Sequence, residues 1–178
     1  TYMAALDDRS TTTYISPQVE AFLGYTPDDY RDDPDLWRKL LHPEDRQLVV
    51  EAVARTHATG QRLEVEYRMF TRDGQVRWFR DEASILRDDA GQPLGLQGVM
   101  YDITERKRAE EELIVRNSAI EGSLNAIALT DLKGHLTYVN PSFVRLWGYD
   151  GPEEVLGRRG LTFVADQSHL QKLSLIHI

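Results

Sequence analysis

Leu63-Glu64-Val65-Glu66-Tyr67-Arg68-Met69 alternates apolar and charged side chains without a slip, and Arg72-Asp73-Gly74 follows it. A strand repeats every two residues, so Leu63, Val65, Tyr67 and Met69 share one face and the charged residues share the other. Asp73-Gly74 reads as a hairpin turn, with a second strand from Val76 to about Leu86. Asp88-Asp89-Ala90-Gly91-Gln92-Pro93 supplies another turn, and a third strand runs from Leu94 to about Ile103. Three long strands joined by tight turns form an antiparallel meander.

Working outward, the N-terminal side carries what must cover one face of that meander. Tyr2–Leu6 and Thr12–Ser16, separated by the polar turn Asp7–Ser10, read as a strand pair. Ser16-Pro17 reads as a helix N-cap with proline in the first helical position, Val19, Phe22 and Leu23 lie on one helical face, and Gly24 is a stop. Asp33-Pro34 opens a short helix with Leu36, Trp37, Leu40 and Leu41. His42-Pro43-Glu44-Asp45 starts a longer helix that ends at Gly60, with Leu48, Val49, Ala52 and Val53 expected inside. Strands and helices in these blocks make the fold α+β.

On the other side, Glu105 to about Glu121 is a highly charged helix. Ala109, Leu113, Ile120 and Leu124 recur at spacings near those of a coiled-coil seam, interrupted by Arg116 and Asn117. Beyond it the chain repeats itself. Tyr14-Ile15-Ser16-Pro17 returns as Tyr138-Val139-Asn140-Pro141, and Gly24-Tyr25 as Gly148-Tyr149, with Asp7 matched by Asp131 at the same offset. A period this long marks a duplicated domain rather than a solenoid. The meander does not recur in the second copy. The organisation expected is therefore a domain over 1–104, a connector helix over 105–124 and an incomplete second domain over 125–178, which either packs on the first or is partly disordered. The tail from Lys172 to Ile178 matches nothing in the first copy.

These pieces together resemble the PAS sensory fold with its C-terminal PAC motif. The resemblance rests on Tyr14-Ile15-Ser16-Pro17 with Gly24-Tyr25, on His42-Pro43-Glu44-Asp45-Arg46, on Arg72-Asp73-Gly74 before Trp78, and on the run from Gly98 through Asp102-Ile103-Thr104 to Lys107. It implies a five-stranded antiparallel sheet, a helical flank and an interior pocket. It also implies a place in bacterial signalling chains, upstream of histidine kinase or cyclic-di-GMP modules. The pocket residues it points to are Val65, Tyr67, Met69, Phe79, Leu96 and Met100.

Composition narrows the chemistry. The 178 residues are 41% hydrophobic and 28% charged, with net charge −8 and no cysteine. Disulfides, thiolate nucleophiles and cysteine-ligated metals are excluded, and the acidic balance argues against a nucleic-acid surface. No run approaches the roughly 18 apolar residues that cross a bilayer, so a cytoplasmic setting is expected. Light-sensing flavin-binding relatives need a reactive cysteine and amide side chains on the last three strands. The matching positions here are Met69, Phe79 and Met100, so flavin is disfavoured. Haem needs an axial histidine, and His57, the one candidate, reads as an exposed residue beside a helix C-terminus. His42 belongs to a helix start, while His135, His169 and His177 have no metal-ligand spacing. Asp28-Asp29, Asp32-Asp33 with Asp35, and Asp88-Asp89 fall at turns and helix N-termini, where they accept backbone N–H bonds. No phosphate-binding loop, nucleophile elbow or cyclase signature is present, so no catalytic residues and no cofactor are expected, although a small apolar ligand fits the reading.

Alternation along the last strand puts Val99 and Tyr101 opposite Leu96 and Met100, and the neighbouring strand adds Val76 and Trp78 to that outer face. Such a patch needs a cover, and a homodimer through this face and the connector helix is the expected one. Asp102, Ile103 and Thr104 join the strand to the helix and are the expected relay to a downstream effector. The alternative is a ligand-free dimerisation scaffold.

Overall fold

The computed structural model describes residues 1–164; the tail Lys172–Ile178, with His169 and His177, lies outside the described residues. Two compact units emerge, one from Thr1 to Arg108 and one beginning at Ala109.

In the first unit the meander forms as the alternation dictates. β1 (Tyr2–Ala4) and β2 (Thr12–Ile15) pair first; α1 (Val19–Leu23), α2 (Pro27–Asp32), α3 (Leu36–Leu40) and α4 (Pro43–Thr59) follow; β3 (Leu63–Phe70), β4 (Val76–Arg87) and β5 (Pro93–Asp102) close the sheet. Its order is β2-β1-β5-β4-β3, with every neighbouring pair antiparallel. The inner face of β3 and β4 buries Leu63, Tyr67, Met69, Phe79 and Ala83 under α3 and α4, which contribute Leu36, Leu40, Val49, Ala52 and Val53. Burying a large apolar side chain is worth about 1.5–3 kcal/mol, so this layer carries the stability of the unit.

Four local expectations need correction. Ser16-Pro17 does not cap α1. The chain there winds through three-residue turns, Val19 N–H to the Ser16 carbonyl at 3.0 Å and Glu20 N–H to that of Pro17 at 3.1 Å, and the helix begins at Val19 without a side-chain cap. α2 is an additional helix, set by a reciprocal cap in which Thr26 N–H donates to Asp29 at 2.7 Å and Asp29 N–H to the Thr26 hydroxyl at 3.3 Å. Leu48 is 56% exposed, because Val49, Ala52, Val53 and Thr56 define the inward stripe of α4. His57 is half-buried rather than exposed; burial holds its pKa below the usual histidine value, and its Nε2 has no hydrogen-bond partner.

Gly24 ends α1 at φ 77° and lies so close to the β3–β4 turn that a Cβ there would meet the Cβ of Arg72 at 3.0 Å. Arg72 N–H donates to the Leu23 carbonyl at 2.8 Å, which ties α1 to that turn. α5 (Thr104–Glu121) leaves β5 after one residue, and Leu124 falls beyond the helix rather than on its stripe. The second unit holds β6 (Ala128–Thr130) paired with β7 (Leu136–Val139), α6 (Pro141–Trp147) and a final turn α7 (Leu161–Val164). Its described residues form a small core of their own, with Leu136, Val139, Phe143 and Val155 buried beside Trp147.

Candidate functional site

Three parts of the first unit concern function: the inner face of the sheet, its outer face, and the β5–α5 junction.

On the inner face, Tyr67, Met69, Phe79 and Leu96 are fully buried, and Val65 and Met100 are half-buried against the same core. The six expected pocket residues thus share one face, divided between two contiguous clusters. An interior cavity of about 30 Å³ touches Leu96 and Met100, together with Tyr2, Tyr30 and Trp37. An open cleft of about 190 Å³ beside α1 touches Phe79 and Met100, with Ile15, Val19 and Phe22. Val65, Tyr67 and Met69 line neither of these two; they fill space rather than enclose it.

Sequence reasoning missed Asp81. It sits on β4 between Phe79 and Ala83, faces inward and is 2% exposed. The Tyr67 hydroxyl donates to Asp81 at 2.8 Å and the Tyr2 hydroxyl at 3.1 Å. Tyr2 reaches it by lying flat over Gly98, its partner on β5, where a Cβ would come within 2.6 Å of the ring. Burial pushes the Asp81 carboxyl up to about 6, against the lowering effect of the two phenols. The signal was present in the two-residue count from Phe79, but the run Arg80-Asp81-Glu82 looks uniformly polar.

The outer face carries Val76, Trp78, Val99 and Tyr101 as alternation requires, yet it is less apolar than that count implies. Tyr101 pairs with Arg80 and Val99 with Glu82 across β4–β5. Trp78 lies beneath two cations, the Arg68 guanidinium 5.3 Å and the Lys107 ammonium 5.0 Å from its ring centre. Arg68 is itself clamped to Asp45 at 2.7 Å and Glu44 at 2.8 Å, and its hydrogen bonds hold the Asp45 carboxyl below the usual range. The His42-Pro43-Glu44-Asp45 segment is therefore a helix start that also anchors β3.

At the junction, Asp102 accepts the Thr104 N–H at 2.9 Å and pairs with Arg77 at 2.8 Å. Burial raises the Asp102 carboxyl, but the Thr104 and Arg77 bonds outweigh it and leave the net value lowered. Thr104 does not cap its own helix: its hydroxyl accepts the Trp78 N–H at 3.0 Å, while Ile103 N–H donates to the Trp78 carbonyl at 2.9 Å. Glu66 on β3 then takes Lys107 at 2.8 Å and Arg106 at 2.6 Å, which together hold its pKa down. The first turn of α5 is thus bonded to β4 and β3 as well as to the strand it continues.

Neither the cavity of about 30 Å³ nor the cleft of about 190 Å³ has a histidine or an amide of β3–β5 in its lining. Among the described residues no group of His, Asp and Glu is placed to hold a metal, and no helix is long and apolar enough to cross a membrane.

Comparison with known proteins agrees with this geometry. The family model described as PAS fold matches residues 12–100, and one described as PAS domain matches 117–174. The chain is 31% identical over 120 residues to a methyl sulfide methyltransferase-associated sensor of Methanosarcina acetivorans, covering 67% of this chain and 12% of that protein. It is 30% identical over 125 residues to sensor protein FixL of Bradyrhizobium diazoefficiens, covering 68% and 25%. It therefore spans a quarter or less of these two relatives. Among solved structures, the N-terminal domain of a diguanylate cyclase with PAS/PAC sensor from Marinobacter aquaeolei aligns at 32% identity and TM-score 0.52, covering 60% of this chain and 95% of that one. With the five-stranded order, the helical flank and the Asp102–Thr104 exit all in place, the chain belongs to the PAS family.

Proposed function

We propose that these residues are the sensory input region of a bacterial signal-transduction protein, in a cytoplasmic setting, whose catalytic step belongs to a module outside them. The observation that carries this reading is the β5–α5 junction. Asp102, Ile103 and Thr104 are each bonded into β4 or into the first turn of α5, which supports a relay in which a shift of β5 moves the helix. Two states of the inner face that differ in occupancy then bias two arrangements of α5, a population shift set by differential affinity. A relative named as a blue-light-activated histidine kinase and the diguanylate cyclase with PAS/PAC sensor support a histidine kinase or a cyclic-di-GMP enzyme as the effector.

The ligand is small and mostly apolar, entering by the cleft at Ile15, Val19 and Phe22, and no flavin or haem is required. A homodimer covers Val76, Val99 and Tyr101 on the outer face, and the connector helix, on which Leu113 is exposed, supplies a second contact. The second reading, a ligand-free dimerisation scaffold, is favoured by the small interior volume. Native mass spectrometry of the purified chain separates the two: a retained small molecule, with a rise in melting temperature when it is added back, supports the sensor. In the full-length parent, Thr104→Ala combined with Asp102→Ala is expected to uncouple output from input. Unchanged output in that variant sinks the relay.

A further inference from the structure

A carboxylate buried in an apolar core ordinarily has a cation beside it or several backbone N–H donors. Asp81 has neither: no lysine, arginine or histidine pairs with it among the described residues, and its partners are two phenols. Those phenols come from strands on either side of it. Tyr67 stands on β3, the direct neighbour of β4. Tyr2 reaches across β5 from β1, over Gly98. One carboxylate therefore gathers β1, β3 and β4 around the strand that leads into α5.

The three contacts are unequal. Tyr67 makes one short bond, to Oδ2 at 2.8 Å, while the Tyr2 hydroxyl straddles Oδ1 at 3.1 Å and Oδ2 at 3.3 Å. A proton on the carboxylate turns one acceptor oxygen into a donor and removes the charge that strengthens both O–H bonds. That loss is smaller than the cost of holding an unpaired charge in the apolar core, because burial outweighs both phenol bonds in setting the Asp81 carboxyl. The longer, shared Tyr2 contact is the one that opens to let water reach the charge. We propose that Asp81, Tyr67 and Tyr2 form a proton-operated switch in which a proton on Asp81 keeps β1 paired to β5 over the core, and its loss loosens Tyr2 and with it that pairing.

The surroundings favour reversible uptake in mildly acidic conditions. Burial is the main cause that raises the Asp81 carboxyl to about 6, and Glu82, the next residue on β4, adds like charge. Elsewhere around this core, β5 presents Met100 opposite Asp81, α2 presents Tyr30, and α3 presents Trp37. From α4 come Val49 and Val53; His57, in its last turn, interacts with Asp7 rather than Asp81. Among the described residues no cation pairs with the group to hold it ionised. The switch adds a proton as an input and does not depend on the small-ligand reading above.

The test is ¹⁹F NMR of the full chain labelled with 3-fluorotyrosine, with Tyr2→Phe and Tyr67→Phe identifying the two resonances. Both are expected to titrate together near pH 6, and to stop titrating in Asp81→Asn. A shared midpoint in the ordinary carboxylate range, about 3.9, or titration that survives in Asp81→Asn, overturns the proposal. If Asp81→Asn does not fold, the ¹³C carboxyl shift of Asp81 in the unaltered chain reads the same midpoint. Transmission is read by amide exchange at neutral pH, where Asp81→Asn, a neutral stand-in for the protonated group, is expected to slow exchange in Tyr2–Ala4 about tenfold relative to the β3–β4 amides. Equal exchange in the two proteins overturns the switch even if the proton is taken up.

Discussion

Asp7 and Asp131 stand at matching places in the two copies, and each carboxylate accepts the backbone N–H four residues on, that of Thr11 at 2.9 Å and that of His135 at 2.8 Å. Gly24 and Gly148 likewise end matching helices in the left-handed region, at φ 77° and 72°. The copies part at Ser16 and Asn140. Asn140 is fully buried: its Oδ1 accepts Phe143 N–H and Ile127 N–H, both at 2.9 Å, and its Nδ2 donates to the carbonyls of Asn125 at 2.9 Å and Ile120 at 3.0 Å. Ser16 is half-buried and caps nothing, so α1 starts two residues after Pro17 whereas α6 starts at Pro141. A carboxamide has two acceptor lone pairs and two donors; a hydroxyl lacks both the reach and the number. The first copy has a five-stranded sheet to place its helix, and the second, with two described strands, uses a single polar side chain to tie strand, helix and connector together.

The largest contrast is expected in the aromatic cores. Phe143 stacks on Trp147 at 4.2 Å and meets Phe163 edge-on, and Phe143→Ala should cost about 3–5 kcal/mol. In a core that small, hydrogen exchange should show the second unit losing protection as a whole. Phe79→Ala should cost a similar amount yet leave the first unit folded with a lower melting temperature. Next comes the cap itself. Asn140→Ala leaves buried backbone groups without partners and should cost about 2–3 kcal/mol, against less than about 0.5 kcal/mol for Ser16→Ala, compared by chemical denaturation. If the two alanine variants cost the same, the contrast drawn above fails.

At the junction, Thr104→Ala removes the acceptor of the Trp78 N–H and should cost about 1 kcal/mol. Faster exchange confined to Trp78 and the first turn of α5 would mark it as local. The smallest effect is the one the copies share. Hydrogen bonds from Thr11 hold Asp7, and those led by His135 hold Asp131, below the usual carboxylate pKa. A carboxyl lowered in the folded state stabilises above its unfolded pKa and loses that contribution as pH falls through the folded value. Acid should therefore loosen both turns over the same range, and Asp7→Asn or Asp131→Asn should flatten that response in one turn only, as read by NMR.

The meander was legible because alternation, Asp-Gly turns and stop glycines act over a few residues, and every strand boundary inferred for β3, β4 and β5 lies within a residue or so of the observed one. α2 is the exception: its capping signature, Thr26 with Asp29, spans only four residues and lies within a run of aspartates that suits a turn equally well. Asp81 was illegible for a different reason: Tyr2 lies far from it along the chain, and nothing near Asp81 says that a phenol will cross Gly98 to meet it. The charged cover over Trp78 has the same origin, with Arg68 arriving from β3 and Lys107 from α5.

By itself the amino-acid order determined which segments are strands and helices, which faces of β3, β4 and β5 turn inward, and that the N-terminal motifs recur after the connector. These depend on side-chain period and backbone preference, which are local. Only the tertiary structure decided that an aspartate would be buried among phenols, that two cations would cover Trp78, and that the first turn of α5 would be bonded to three strands. Those outcomes depend on which distant groups the sheet order brings within hydrogen-bonding distance, and no window along the chain contains them.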